Sequence, residues 1–325
     1  METPLGTSVL RDRRPVDLLC LQPPAGRWRD RIAPFLAHKG QPWNWQIEKH
    51  LDAPADKLES RFYVALCGGT LISHIMTAEH AGVGLLGHVY TDPAWRGQRA
   101  ASILMKVVCD DFADRGGIVM NLGTEYDTSP WRIYQRFGFQ GLRPPSGLMR
   151  WVVQPEAYER LFAPAQAHFR PVAWQDWPLL QTLLQRPEGD WLRNRTLRAY
   201  GSVCDAEASF LEFMSWVDRG EASARVLAND SGAAVGLVSV APFHEVPSDA
   251  LQLSLYVHPH FAERTAALLA AAELPQDRPM VCYIDSGSPG RERALIEVGF
   301  GLACRLEGFC RTHQASLDLL VFRRG

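Results

Sequence analysis

The chain is short of lysine and has no excess of either charge. Lys39, Lys49, Lys57 and Lys106 are its only lysines, and 34 basic residues stand against 36 acidic ones for a net charge of -2. Bulk electrostatics therefore give no reason to expect a nucleic acid as partner. The seven cysteines (Cys20, Cys67, Cys109, Cys204, Cys282, Cys304 and Cys310) are scattered and form no Cys-x-x-Cys pair. That spacing favours neither a zinc site nor a disulfide framework. Cys109 follows Val107-Val108, where a free cysteine acts as a small hydrophobe. His258-Pro-His260 has metal-like spacing but no third ligand near it in sequence, so no metal is expected. No apolar run approaches a membrane span, and Met1-Glu-Thr-Pro-Leu-Gly-Thr7 lacks the basic and apolar segments of a signal peptide. The expectation is a cytoplasmic protein with no membrane partner.

The chain is long enough for two ordinary domains. Residues to about Thr7 read as a loose start, and Val16–Leu21 as a strand. Arg27–Ala37 has helical spacing, and Gln41–His50 leads into a second helix. Arg61–Cys67, Thr70–Thr77 and Gly82–Thr91 are strand-like, with Gly68-Gly69 as a hairpin signal. Leu104, Val107, Val108 and Phe112 form one apolar stripe of a helix that stops at Arg115-Gly116-Gly117. Ile118–Leu122 reads as a short buried strand. Ser129-Pro130 reads as an N-cap followed by proline at the first helical position. Phe139–Leu142 and Leu148–Val153 close the first half as two strands. The order is mixed α/β.

Two motifs stand out. His88-Val-Tyr-Thr-Asp-Pro93 is a strand running into Ala94-Trp-Arg-Gly-Gln-Arg-Ala-Ala-Ser102, a turn that opens a helix at small residues. Such a turn leaves backbone N–H groups unpaired at a helix N-terminus, where a phosphate can sit. Tyr134-Gln-Arg-Phe-Gly-Phe139 is a helix end with Gly138 at the cap. Together they resemble the acyl-CoA-binding core of the GCN5-related N-acetyltransferase superfamily. The resemblance implies a mixed α/β sheet that splays open at the acyl-CoA-binding strand. It implies that Val89, Tyr90 and Thr91 pair with the pantetheine arm. It places Arg96, Gly97, Gln98, Arg99, Ala100, Ala101 and Ser102 around the pyrophosphate. The family turn usually reads Arg-Gly-x-Gly-x-Gly/Ala, and Arg99 stands at its second glycine. A positive φ there would strain an arginine, while its guanidinium offers a charged contact to phosphate. Gly84 and Gly87 fit a bulge or a close backbone approach.

Attack of an amine on a thioester needs a base, an oxyanion donor and an acid for the thiolate. Tyr134 matches the family tyrosine beside the thioester sulfur. His88, on the splayed strand, is a candidate base, because an ordinary imidazole titrates near neutrality. Glu79, Glu125 and Asp127 stay open as bases acting through water. Glu125, Tyr126 and Asp127 lie in the loop before the tyrosine helix, and with Trp43 and Trp45 are candidate acceptor contacts.

The pattern repeats. Asp176–Leu184, Ala206–Val217, Ala262–Ala272 and Pro289–Val298 read as helices; Ala224–Ala228, Ala234–Val240, Leu251–Val257 and Met280–Ile284 read as strands. Leu255-Tyr-Val-His-Pro259 corresponds to Val89–Pro93, and Leu295-Ile-Glu-Val-Gly-Phe300 to Tyr134–Phe139, so the fold is read as duplicated. The second turn has no glycine and carries Glu263, and Leu295 replaces the tyrosine. The expected organisation is a catalytic domain at 1–155, a linker helix at 156–168 and a degenerate domain of the same fold at 169–325. The expected activity is transfer of an acetyl group from acetyl-CoA to a primary amine of a small molecule, by direct attack in a ternary complex and without a metal. The alternatives are a non-catalytic acyl-CoA-responsive binding protein and a transferase of a longer acyl or aminoacyl group. The expected assembly is a monomer or homodimer.

Overall fold

The computed structural model describes residues 1–201, 203–204, 206–244, 248–312 and 315–325. In chain order the first elements are β1 (Glu2–Val9), β2 (Pro15–Leu21), α1 (Arg29–Leu36), α2 (Trp43–Asp52), β3 (Glu59–Cys67), β4 (Thr70–His80), β5 (Val83–Thr91), α3 (Ala100–Asp114), β6 (Val119–Gly123), α4 (Ser129–Arg136), β7 (Gln140–Gly141), β8 (Leu148–Val152) and α5 (Pro155–Arg160). They are followed by β9 (Ala167–Pro171), α6 (Asp176–Leu184), β10 (Leu192–Asn194), β11 (Ala199–Tyr200), β12 (Val203–Cys204), α7 (Ala206–Asp218), β13 (Ser223–Asn229), β14 (Ala234–Pro242), β15 (Leu251–Val257), α8 (Thr265–Ala270), β16 (Met280–Asp285), α9 (Pro289–Glu297), β17 (Gly301–Arg311) and β18 (Ser316–Arg324). The chain forms two compact units: Met1–Tyr158 with Trp174–Pro178, and Glu159–Ala173 with Leu179–Gly325. Among the described residues no helix is long and apolar enough to cross a membrane.

The first unit is built on an eight-stranded sheet in the order β1-β2-β3-β4-β5-β6-β8-β7. Every pair is antiparallel except β5 with β6. That parallel pairing lasts three residues, Val83–Leu85 against Val119–Asn121. Beyond Leu85 the two strands part, and the β5 edge facing β6 is unpaired to Thr91. The strand is also irregular on its other edge. Opposite β4, His74 pairs with Tyr90 and Met76 with Gly87, so His88 and Val89 together face Ile75. This is a bulge, with His88 at φ 51°. The core on the α3 side joins Leu104, Met105, Val108 and Phe112 to Tyr63, Ile72, Ile75, Leu86, Met120 and Met149. Leu104, Val108 and Phe112 are stripe positions of α3; Met105 joins them, and Val107 packs at the edge, partly buried.

Three expectations are corrected. The first residues are not loose: β1 pairs with β2 along Glu2–Val9, with a register shift between Pro4 and Gly6. Proline and glycine lower the local strand signal, and the ladder with β2 supplies what composition does not. The N-cap of α4 is Thr128 rather than Ser129, which is already helical, and Thr128 Oγ1 donates to Glu125 O at 2.8 Å. The helix expected over Ala262–Ala272 is a 3-10 segment, Pro259–Arg264, followed by the six-residue α8. The conformation breaks at Phe261 (φ -124°), a buried anchor whose packing overrides alanine-rich helix propensity.

The second unit repeats the order of the first. Its seven-stranded sheet runs β9-β13-β14-β15-β16-β18-β17. Again one pair is parallel, Leu251–Leu253 of β15 against Met280–Cys282 of β16, and again the strands part after three residues. The turns that follow β5 and β15 share a capping device. Asp92 Oδ1 accepts from Ala94 N at 2.8 Å, and His258 Nδ1 accepts from His260 N at 3.3 Å.

Glu79 lies at the hairpin end of β4, opposite Gly84. Its carboxylate takes both arms of Arg115, at 2.6 and 3.0 Å, and the Thr77 hydroxyl at 2.5 Å. Arg115 also pairs with Asp111 at 3.0 Å. At about 3.3 Å per residue, Gly84 is more than about 20 Å along β5 from Thr91. Glu79 thus pins the end of α3 to the sheet, away from the splayed end. Replacing it (Glu79→Ala) is expected to lower stability by about 1–2 kcal/mol, since it removes the buried acceptor of Arg115 and the Thr77 hydroxyl while partly exposed Arg115 keeps Asp111 and solvent. Urea denaturation of the variant checks this.

Candidate functional site

A cavity of about 780 Å³ opens where β5 leaves β6. Its walls come from three elements. Val89, Tyr90 and Thr91 supply the splayed strand. Arg96, Gly97, Arg99, Ala100, Ala101 and Ser102 supply the turn and the first residues of α3. Pro130, Ile133 and Tyr134 of α4 face them. Tyr134 is buried and stands edge-on to Phe139, with ring centroids 6.1 Å apart.

The turn is shaped for close backbone approach. Gly97 has φ 78° and Arg99 φ 70°. A left-handed conformation costs a non-glycine residue about 1–2 kcal/mol, so Arg99 is held there by its surroundings. The first hydrogen bond of α3 runs from Ile103 N to Arg99 O at 2.9 Å. The N–H groups of Ala100, Ala101 and Ser102 therefore precede the helix's own ladder. Small side chains at 100 and 101 keep these donors accessible. Arg96 Nε donates to Thr91 O at 3.3 Å and ties the turn to the strand end.

Gln98 and His88 lie off the lining. Gln98 faces the β1–β2 loop: its carbonyl accepts from Arg11 N at 3.2 Å and its Oε1 from Asp12 N at 3.2 Å. His88 is buried on the α2 side of β5. Its Nε2 lies 2.8 Å from Gln46 Oε1, and its ring is perpendicular to Trp43 at 5.4 Å. Gln46 Nε2 in turn lies 2.9 Å from His50 Nδ1, and the Ser60 hydroxyl lies 3.0 Å from the same nitrogen. With the Gln46 amide donating to His50, its oxygen must accept from His88, so His88 carries its proton on Nε2 and its lone pair on Nδ1. His74 Nδ1 donates to His88 O at 3.0 Å.

The acceptor candidates are dispersed. Trp45 packs against Trp174 at 5.6 Å, beneath Lys49. The Trp174–Pro178 segment, which follows β9 in sequence, is fastened to this unit by Trp174 N on Asp56 Oδ2 at 2.8 Å. Tyr126 is exposed against Trp131, and Asp127 forms a surface ion pair with Arg132 at 3.0 Å. Glu125 is exposed in the same loop. Sequence reasoning passed over Met105, Pro130, Ile133 and Gln46. The spacing Pro130, Ile133, Tyr134 is one helical face and was the available signal; nothing local marks Gln46.

In the second unit the equivalent space is filled from within. Arg291 of α9 is buried, and its Nη1 donates to Leu255 O at 3.2 Å and Leu192 O at 2.7 Å. Leu255 is the counterpart of Val89 on the splayed strand. Asp285 holds the same guanidinium at 3.3 Å and also accepts from Leu192 N at 2.6 Å. Leu295 is fully buried. His258 and His260 are engaged with Glu188 at 3.0 Å and Phe162 O at 2.7 Å. No cluster of three or more metal-ligating side chains occurs among the described residues.

Burial holds three histidines of the first unit neutral. It pushes the His50 imidazole down to about 3 and that of His74 to about 4, and pushes His88 well below its ordinary value. Below about pH 6.5 the unfolded chain takes up protons that the folded chain excludes, so stability present above that pH is lost as pH falls. The expected loss approaches about 1.4 kcal/mol per pH unit for each histidine. Urea denaturation between about pH 7.5 and about pH 5.5, above most carboxylate titration, measures the slope. His74→Asn should reduce it by one histidine's share, and an unchanged slope would contradict the assignment.

Residues 27–139 match the model of the acetyltransferase (GNAT) family. Many solved structures are similar to about half of the chain. One is a putative acetyltransferase from Acinetobacter baylyi ADP1, at 15% identity and TM-score 0.39, covering 49% of this chain and 92% of that one. Another is a ribosomal-protein-alanine N-acetyltransferase from Brucella melitensis, at 20% identity and TM-score 0.37, covering 48% and 98%. A third is a phosphinothricin acetyltransferase from Sinorhizobium meliloti in complex with AcCoA, at 16% identity and TM-score 0.39, covering 49% and 87%. No curated protein matches the sequence. The first unit carries a domain of the acetyltransferase (GNAT) family.

Proposed function

We propose that the first unit transfers an acetyl group from acetyl-CoA to a primary amine of a small molecule, by direct attack within a ternary complex. The observation that carries this reading is the single cavity of about 780 Å³ that gathers the splayed strand, the N–H-rich turn and Tyr134. The chemistry of the walls fits the co-substrate. An unpaired β5 edge suits the amides of a pantetheine arm. Helix N-terminal N–H groups with Arg96 and Arg99 beside them suit a pyrophosphate. Acetyl-CoA supplies the thioester, and the chain supplies orientation and proton handling.

In this reading Val89, Tyr90 and Thr91 align the arm so that the thioester lies near Tyr134. The phenol, with a reference pKa of about 10, donates to a leaving thiolate of about 8.5. His88 is the proposed base in this reading: Gln46 fixes its tautomer with the lone pair on Nδ1, and because burial disfavours the imidazolium it would pass an ammonium proton on rather than store it. Trp43 packs on that imidazole and fixes its plane. Glu125, Tyr126 and Asp127 remain candidate acceptor contacts from the loop before α4. The second unit is proposed to bind no acyl-CoA, because Arg291 already occupies the carbonyl of Leu255.

Tyr134→Phe is expected to lower kcat by about a hundredfold while changing CoA affinity little, since the ring and its packing stay. Steady-state kinetics with acetyl-CoA and a panel of amines, followed by thiol release, checks this. Unchanged turnover would remove Tyr134 from the mechanism. Binding of CoA without turnover on any amine would favour an acyl-CoA-responsive binding protein.

Calorimetry of the full chain should show one CoA site. Ala101→Glu should weaken it at least about a hundredfold, because a carboxylate would sit among N–H groups meant for phosphate. Two equivalent sites, or an unaltered affinity in the variant, would contradict the placement.

A further inference from the structure

Gln252 of β15 is a buried polar side chain without a partner. It is only 5% exposed, yet its Nε2 has no hydrogen-bond partner, and no partner of its Oε1 occurs among the described residues. It lies on the wall of a cavity of about 300 Å³ in the second unit. We propose that this cavity binds an uncharged planar heterocycle with an amide-type edge, a ring N–H beside a ring C=O, paired edge-on with the Gln252 carboxamide. The assignment depends neither on the acyl-CoA reading of the first unit nor on a charge in the cavity.

The cavity is built around that amide. The backbone of Gln252 lies between β14 and β16, opposite Ala241 and Val281, so two ladders fix its place. Ser254 lies two residues on, on the same face of β15. Its hydroxyl is 3.2 Å from that of Thr196 and accepts from Thr196 N at 3.4 Å, which fastens another wall of the cavity to the same strand. Helix α7 supplies Glu212 and Trp216, one turn apart on one face. Half-buried Trp216 lies 4.8 Å from the His244 ring, tilted by 44°. Its indole gives a flat ligand an apolar wall to stack on.

The donor set selects the ligand. A carboxamide offers N–H donors and carbonyl lone pairs in one plane. A carboxylate would answer its nitrogen and repel its oxygen, and an ammonium would do the reverse. A neutral edge with an N–H beside a C=O answers both at once, as a glutamine does when it takes an adenine edge side-on. The wall supplies no reason for a charged ligand: Arg198 pairs with Glu212 at 3.6 Å, and Arg195 donates to the Tyr200 hydroxyl at 3.0 Å and lies over Tyr283.

Energetics separate a binding residue from a structural one. A buried amide without partners destabilises the fold that carries it, and an apolar side chain of similar shape relieves that. Gln252→Met is therefore expected to raise the melting temperature by about 2–4 °C, read by scanning calorimetry of the full chain. A glutamine kept for structure would give the opposite sign.

Binding is tested by calorimetric titration of the full chain with uracil and α-pyridone, a nucleobase and a bare lactam. Dimethyluracil and N-methyl-α-pyridone keep the rings and block the N–H. Saturable binding of uracil or α-pyridone is expected, with the methylated counterpart at least about tenfold weaker. Binding of uracil alone identifies a nucleobase as the ligand, and binding of α-pyridone identifies the lactam edge as sufficient. Gln252→Met should weaken the bound compound at least about tenfold, and Trp216→Leu should weaken it several-fold. The proposal is overturned if neither compound binds up to about 10 mM, if the methylated rings bind equally well, if Gln252→Met binds like the parent, or if that variant melts below the parent or fails to fold.

Discussion

The parting of one parallel strand pair after three residues is the constraint on which the rest of the molecule depends. An unpaired strand edge inside a protein cannot be left unanswered, because a buried backbone N–H or C=O without a partner costs as much as a lost hydrogen bond. In the first unit the edge of β5 opens onto a cavity whose walls carry further unpaired donors from the start of α3. In the second unit the same edge is answered internally, by the Arg291 guanidinium on the carbonyl of Leu255. One topology thus yields an open cleft and a sealed one, the second closed by Arg291 together with Asp285 and the Leu192 backbone.

Two of the seven non-glycine residues described at positive φ frame the open cleft. They are His88 and Arg99, one at the bulge of β5 and the other at the cap of α3. Each costs of order 1–2 kcal/mol, and each is over-determined by its neighbours: His88 by Gln46, Trp43 and the His74 contact, Arg99 by the α3 ladder that begins on its carbonyl. Arg99 stands directly before the unpaired N–H groups of α3.

The buried chain His88–Gln46–His50–Ser60 shows how α2 serves the same end. It is a polar path through an apolar layer, and burial keeps its imidazoles neutral. Trp174 closes that layer from beyond β9, standing perpendicular to His50 at 4.6 Å. A segment distant in sequence therefore completes the first unit behind its cleft.

Much of the fold was legible because its signals are local. Gly68-Gly69 marks the β3–β4 hairpin, the stripe from Leu104 to Phe112 marks α3, and Pro93 with Gly97 and Gly138 marks the turns that frame the cavity. The repeated Tyr-x-x-Pro and Gly-Phe spacings announced a second copy, and the matching strand order reflects them. The first strand was not legible, since Pro4 and Gly6 mask it until β2 supplies a ladder. Nor was the Trp45–Trp174 packing, which joins residues far apart in the chain. Sequence by itself determined where the chain turns, caps and presents small residues, because those choices rest on the conformational preferences of single residues and their near neighbours. Only the tertiary structure decided that His88 is buried on Gln46, that Gln98 turns away, and that Arg291 fills one splay while the other stays open. Each of those outcomes is a contest between burial and hydrogen bonding among side chains that the chain brings together only when folded.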